Sequence, residues 1–354
     1  DPRVTATQPD RYRFELVATL DRSSVVAQTN DVTRQGRSQS ELPLSPKSTP
    51  DCSRTPFYNV TVHAVRWQVL DGVTAEGLLF SLPELMDLCN VRAKVLYSIL
   101  SENMTVAHWQ GLARAVAEEL NSGAVGVIVP HGTDTMGFTA AALSFMLRNL
   151  TGPVVCVGSQ RSSDRPSSDA TMNLLAATRL CVDADLGEVV VVMHGEPSDS
   201  YCLAHRGTKV RKMHSSRRDA FNSINIQPLA RIEGHAIDFK GPHSPRSAGP
   251  VEVRDRIEGR ASLLHFYPGF EEDHFDMIAS HVKGVVIAGT GLGHVSDPII
   301  RSVRKAVKNG VHVVVTTQCL QGAVNLNVYS TGRDMISAGA LPVGDMLPET
   351  AYVK

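Results

Sequence analysis

Five runs of aliphatic residues, at 124–129, 154–157, 188–193, 283–288 and 311–316, limit the possible folds of this chain more than any other feature. A strand with one wet face alternates apolar and polar residues. A run without alternation fits a strand covered on both faces. Segments with helical spacing lie between the runs. Thr105 is placed to cap a helix whose apolar positions Trp109, Leu112, Ala113, Val116 and Leu120 share one face, and Asn121-Ser122-Gly123 ends it. Residues 138–150 read as a second helix, stopped by Thr151-Gly152-Pro153, and residues 169–182 as a third. Strands alternating with helices predict an α/β fold: a parallel sheet with helices on both faces.

The pattern lapses over 225–260, where Gly241-Pro242, Ser244-Pro245 and Gly249-Pro250 punctuate the chain, and this stretch reads as an interdomain linker. Residues 57–224 then form a larger N-terminal α/β domain and 261–354 a smaller C-terminal one. A length of 354 residues suits two such cores. Residues 1–56 differ. They are rich in Ser, Thr, Arg, Gln and Pro, and the part from 35 to 56 has too few apolar groups to offset chain entropy, so it is expected to be disordered or poorly packed.

Several function classes recede. A formal net charge of -1 does not suit a protein that grips nucleic acid through its own phosphate contacts. The six cysteines form no C-x-x-C pair, and Cys156 reads as a buried, inert thiol; a reducing, cytoplasmic setting is expected. No apolar run approaches the length of a membrane span, and the first residues lack a signal-peptide pattern. Thirteen histidines include no H-E-x-x-H, so no metal site is expected. The loop Gly289-Thr290-Gly291-Leu292-Gly293-His294 lacks dinucleotide-binding spacing. The basic run 209–218 is open to two readings, an RNA contact or a charged loop over an anionic substrate or subunit contact.

In open parallel sheets, ligands bind beyond the carboxyl ends of the strands. Three polar clusters fall there: His131-Gly132-Thr133-Asp134-Thr135-Met136, then residues 158–164, then His194 onward into 205–214. A threonine hydroxyl becomes a nucleophile only beside a base, and a lysine held by a carboxylate can be that base. Lys212, flanked by Arg211 and Arg217-Arg218, is a candidate, since neighbouring cations lower a lysine's pKa. The bland alternative is that Asp134 or Thr135 merely caps the following helix. Spacing leaves both readings open.

The string His131-Gly132-Thr133-Asp134-Thr135-Met136 resembles a signature of the asparaginase/glutaminase family. Longer strings resemble its branch of archaeal tRNA-dependent amidotransferase D subunits: Ser101-Glu102-Asn103-Met104, Gln160-Arg161-Ser162-Ser163-Asp164-Arg165-Pro166-Ser167-Ser168-Asp169, and residues 205–221. The likeness runs from about residue 73 to the end. It implies a two-domain asparaginase-like fold, with the C-terminus expected to stop short of the family's last helices. It also implies a catalytic set of Thr133 as hydroxyl, Lys212 as its base and Asp134 orienting the lysine. Substrate contacts are implied at Ser101, Glu102 and Gly132, with His294 reaching a neighbouring subunit's site in a homodimer. The implied reaction hydrolyses glutamine. Ammonia would pass to an E subunit that acts on tRNA(Gln) with ATP and Mg, this chain binding no cofactor itself.

One departure stands out. The family carries a second threonine in a Gly-Gly-Thr-Ile turn after its first strand, and no Gly-Gly precedes residue 73 here. Residues 58–65 are the candidate first strand, but they run into Arg66-Trp67-Gln68. Thr19, Thr55 and Thr61 lack the flanking glycines that let a backbone approach a tetrahedral intermediate. The N-terminal segment is either a shifted reading frame or a divergent segment on a chain that has lost one nucleophile. Two alternatives therefore stand beside the glutaminase subunit: a free-standing L-asparaginase, and an inactive member of the family.

Overall fold

Branched residues at successive positions do form strands buried on both faces. The computed structural model describes residues 83–161 and 166–354, together with the backbone of two strands further upstream. In chain order the strands of the first unit are β1 (Val17–Thr19), β2 (Asn59–Ala64), β3 (Asn90–Val95), β4 (Gly126–Pro130), β5 (Leu147–Arg148), β6 (Val154–Val157), β7 (Val189–His194), β8 (Cys202–Arg206), β9 (Val210–Lys212), β10 (Phe221–Ser223), β11 (Ala230–Glu233), β12 (Ala236–Phe239) and β13 (Glu252–Val253). Its helices are α1 (Pro83–Leu88), α2 (Val106–Asn121), α3 (Met136–Met146) and α4 (Ala170–Asp183). Apart from β1, the expected poorly packed segment 1–56 lies outside the described residues, as do residues 162–165.

Nine strands make one sheet in the order β1-β3-β2-β4-β6-β7-β8-β11-β12. Its centre, from β3 to β7, is parallel. Every residue of β4, β6 and β7 is buried. The candidate first strand is present as β2, paired on both sides. Two cores flank the sheet. Trp109, Leu112 and Val116 of α2 with Met136 and Leu143 of α3 fill one face, and Leu174, Ala177 and Leu180 of α4 fill the other. Cys156 is fully buried, and burial pushes its thiol up to about 12.

The second unit is a parallel sheet of β14 (Ala261–His265), β15 (Gly284–Gly289), β16 (His312–Thr317) and β17 (Leu341–Pro342). It packs with α5 (Glu272–Ala279), α6 (Asp297–Lys308) and α7 (Ser330–Ser337) around Phe275, Val303 and Met335. The last helix, α8 (Pro348–Val353), returns to the first unit: Val353 joins the core beside α3, and the Tyr352 ring meets Phe138 edge-on at 6.1 Å.

The linker expected over 225–260 is largely built structure. Ala230–Glu233 and Ala236–Phe239 form a hairpin that extends the large sheet through antiparallel pairing with β8. The next segment is sewn under the same unit. Arg246 donates to four main-chain carbonyls, those of Ala184 (3.0 Å), Val125 (2.5 Å), Thr151 (3.3 Å) and Cys181 (2.6 Å). Asn121 exchanges two hydrogen bonds with the Val251 backbone, and Arg114 holds Asp255 at 2.6 Å. Only residues 256–260 separate these ties from β14.

Candidate active site

Two adjacent parallel strands, β4 and β6, end side by side and open on a cavity of about 370 Å³. Two glycines allow its walls to close up. A Cβ on Gly132 would sit 2.7 Å from Ser101 Cβ; one on Gly158 would sit 2.7 Å from the His131 carbonyl oxygen and from Met136 Cε. Only glycine fits either place. The cavity is lined by Ser101 and Glu102 from the 3-10 turn Ser101–Asn103, by residues 130–134 after β4, by Gly158, Ser159 and Gln160 after β6, and by Lys212 and Ser215.

The structure brings Thr133, Asp134 and Lys212 together. Lys212 Nζ donates to Thr133 Oγ1 and to Asp134 Oδ1, each at 2.8 Å. The lysine is nearly covered, with its side chain 14% exposed, whereas that of Asp134 is 70% exposed. This settles the competing cap reading of the turn. Thr135 occupies the N-cap position of α3, but its hydroxyl donates to the Ser101 carbonyl at 2.7 Å. Asp134 faces the lysine. Neither side chain caps the helix.

A buried chain of hydrogen bonds holds the threonine turn from below. Trp109 Nε1 donates to Thr139 Oγ1 at 3.0 Å, Thr139 Oγ1 is 2.8 Å from His131 Nε2, and His131 Nδ1 is 2.7 Å from the Gly132 carbonyl. An indole nitrogen only donates, so the single hydroxyl proton of Thr139 goes to His131 Nε2. His131 is therefore neutral, with its proton on Nδ1 donated to Gly132. Burial agrees, lowering the His131 pKa to about 4.

Lys212 ends β9, whose partner β10 places Phe221 opposite it, buried in the core. Its cationic neighbours do not form a bare positive field. Lys209 pairs with Asp345 (2.5 Å), Arg211 with Glu349 (3.2 Å), Arg217 with Asp219, and Arg218 with Asp199 (2.5 Å). The basic run 209–218 is thus a set of ion pairs, two of which reach the C-terminal unit, and this favours the charged-loop reading over an RNA contact.

Other expected positions lie elsewhere. His294 is not among the cavity residues. Its Nδ1 is 3.2 Å from Thr331 Oγ1 and its ring meets Tyr329 edge-on at 5.3 Å, within the C-terminal unit. The glycine-rich loop before it is closed on itself, with the amides of Thr290, Gly293 and His294 engaged inside the turn. His205 is buried in the sheet, Nδ1 2.9 Å from Ser223 Oγ, and burial lowers its pKa to about 4. His194 lies fully buried. Thr133 is the sole threonine lining the cavity among the described residues. Thr19 and Thr61 lie within strands, Thr61 level with Val127 and short of the rim; Thr55 and residues 65–82 lie outside the described residues. Among the described residues no cluster of three or more His, Cys, Asp or Glu side chains is placed to hold a metal, and no helix is long and apolar enough to cross a membrane.

Sequence reasoning missed Ser215, and it read Trp109 and Thr139 only as part of a helical face or segment. Nothing in the local pattern marks any of the three as belonging to a site.

Comparison with known proteins gives consistent matches. The family model described as asparaginase, N-terminal, matches residues 60–245, and that of the glutaminase/asparaginase C-terminal domain matches 260–354. The D subunit of glutamyl-tRNA(Gln) amidotransferase from Pyrococcus furiosus is 56% identical over 289 residues, covering 81% of this chain and 66% of that protein. Its counterpart from Thermococcus kodakarensis is 53% identical over 305 residues, covering 85% and 68%. The chain spans about two thirds of the length of these curated relatives. Among solved structures, the thermostable L-asparaginase from Thermococcus kodakarensis superposes with a TM-score of 0.74 at 26% identity, over 84% of this chain and 91% of that one. L-asparaginase I from Vibrio cholerae gives 0.74 at 28%, with the same coverage.

Proposed function

The chain belongs to the glutaminase/asparaginase family, and we propose that within it the protein is the glutamine-hydrolysing subunit of a tRNA-dependent amidotransferase. The observation that carries this reading is Lys212 Nζ at 2.8 Å from both Thr133 Oγ1 and Asp134 Oδ1, on the wall of a polar cavity. In the proposed reaction the glutamine carboxamide lies against Thr133. Lys212, as the free amine, takes the hydroxyl proton while Thr133 Oγ1 attacks the amide carbon. The C–N bond breaks, ammonia leaves with a proton from Lys212, and water hydrolyses the acyl ester to glutamate and free Thr133. Asp134 holds the lysine and meets the substrate's α-ammonium. Ser101 and Glu102 hold the α-carboxylate and α-ammonium, and Gly132 keeps that wall close.

Similarity to the amidotransferase relatives supports glutamine as the amide and an E subunit as the partner receiving ammonia in the cytoplasm. ATP, Mg and tRNA(Gln) belong to that partner in this reading, which agrees with the net charge of -1. A homodimer, with His294 of one copy serving the other's site, is part of the same proposal.

An inactive member is the second reading, favoured by Thr133 standing alone among the described cavity residues. Ammonia release from glutamine and asparagine, with Thr133→Ala and Lys212→Ala beside the parent chain, decides. The glutaminase reading expects glutamine-dependent release that rises with the partner subunit and falls roughly 10²–10⁴-fold in either variant. Release no higher than in the variants establishes the inactive reading. Asparagine turnover indifferent to a partner establishes a free-standing asparaginase.

A further inference from the structure

Beneath the cavity, buried polar groups join its two walls. Asp169, fully buried just before α4, accepts the backbone amides of Gln160 (3.0 Å) and Arg161 (2.9 Å). Asn173, one turn later, donates from Nδ2 to Asp169 Oδ2 (3.1 Å) and to the Gly158 carbonyl (2.9 Å). The wall at 158–160 is thereby tied to α4. On the other side of Asn173 lies His194, the last residue of β7, which has no exposed surface. Its Nδ1 is 2.6 Å from Asn173 Oδ1 and its Nε2 is 3.1 Å from Asp199 Oδ1. Asp199 in turn accepts from Arg218 at 2.5 Å, and Arg218 also donates to the Pro197 carbonyl. Arg218 lies in the loop between β9 and β10, on the hairpin that carries Lys212.

Donor and acceptor accounting gives the state of His194. Asp169 Oδ2 and the Gly158 carbonyl are both acceptors, so the Asn173 group facing them is its NH₂ and the atom facing His194 is its oxygen. Flipping the amide would set oxygen against oxygen twice. An amide oxygen only accepts, so His194 Nδ1 carries a proton. The Asp199 carboxylate only accepts as well, so Nε2 carries one too. An imidazole protonated on both nitrogens is a cation.

The surroundings balance that charge. The charged groups facing His194 are Asp199 on its own loop, Asp169 on α4 through Asn173, and Arg218 beyond Asp199 from the hairpin: two cations against two carboxylates. Cys202, opposite on β8, is a neutral thiol, pushed up to about 12 by burial and by Asp169 and Asp199. The hydrogen bond from His194 is the largest influence holding the Asp199 carboxyl below its ordinary range. A buried ion persists only with such pairing.

We propose that His194, held as an imidazolium between Asn173 and Asp199, is a positioning residue that sets the 158–160 wall of the cavity against the Lys212 hairpin. Its effect on ligands rests on the amidohydrolase reading; its charge state does not.

The full chain labelled with ¹⁵N-histidine tests the charge. At neutral pH both His194 ring nitrogens should show protonated shifts and bonded protons; one bare nitrogen overturns the proposal. Binding of L-glutamate, the product, tests the positioning. His194→Gln should weaken it about tenfold, as expected for a misplaced wall. Asp199→Asn should weaken it less, and the double variant should be no worse than His194→Gln alone, as for groups acting through one another. In the parent chain affinity should fall as pH rises through the His194 titration seen by NMR, and His194→Gln should be flat there. Parent-like affinity in His194→Gln, with unmoved amide signals at 158–160 and Lys212, overturns the positioning role. Should His194→Gln fail to fold, Asp199→Asn and Arg218→Gln, at the outer end of the brace, carry the same test. If the parent chain does not bind glutamate, the glutaminase reading fails, and the amide signals alone decide for or against the brace.

Discussion

Thr133 and Lys212 meet in one hydrogen bond, yet the two sides of that bond are held by opposite means. The threonine stands on a turn fixed from beneath by Trp109, Thr139 and His131, which are buried and uncharged. The lysine stands on a hairpin tied down by surface ion pairs, Lys209 to Asp345 and Arg211 to Glu349, that reach into the C-terminal unit. Buried neutral hydrogen bonds are indifferent to salt. Exposed ion pairs are not. The comparison teaches that the reacting hydroxyl is placed by one unit's core, while the placing of its base depends on how the two units sit together.

Acid should separate the two sides most strongly. Burial lowers the His131 pKa from 6.5 to about 4, and His205 behaves alike. Between those values the unfolded chain binds the extra proton and the folded chain does not. This stability is therefore complete above about pH 6.5 and lost as pH falls toward 4, by roughly 3 kcal/mol per histidine. Urea unfolding from pH 7 down to 4.5 should show a steadily falling midpoint. A flat midpoint would contradict a neutral, buried His131.

Thr139→Val removes the centre of the threonine-side chain of hydrogen bonds and leaves Trp109 Nε1 and His131 Nε2 without partners. A loss of about 1–3 kcal/mol is expected by chemical denaturation, with Thr139→Ser near the parent value. An equal loss in Thr139→Ser would mean that packing, not hydrogen bonding, fixes the turn.

The smallest effect should come from the lysine side. Asp345→Asn should cost less than about 1 kcal/mol, a difference that shrinks in 1 M salt, where screening acts within about 3 Å. A larger, salt-independent loss would erase the contrast.

Much of this arrangement is legible in the chain. The buried strands announce themselves because residues such as Val154, Val155 and Val157 leave no polar face. The turn at His131 is legible as a strand end, and Lys212 through resemblance to a family. The hairpin of β11 and β12 is harder to see. Its strands are four residues each, Arg231 and Glu233 alternate with Ala230 and Ile232, and the glycine–proline punctuation that follows draws the eye to a linker. The two-residue turn at Gly234-His235, with Gly234 at φ +56°, is the signal that marks it. Partners distant in sequence are not legible at all. Trp109 and Thr139 each fit an ordinary helix, and nothing local says that one hydroxyl serves both an indole and His131. Nor does a run of basic residues reveal that Asp345 and Glu349, more than a hundred residues away, answer it.

Arg246 bears on where this protein can be cut. The match to the N-terminal family model ends at residue 245, one position before the side chain whose guanidinium gathers four carbonyls from the first unit. A fragment ending there would expose those carbonyls, along with the Asn121 and Arg114 contacts to Val251 and Asp255. One ending at 256 would retain them all. Proteases should accordingly nick the parent chain within 256–260 before touching 241–255, and the fragment released would carry its own fastening.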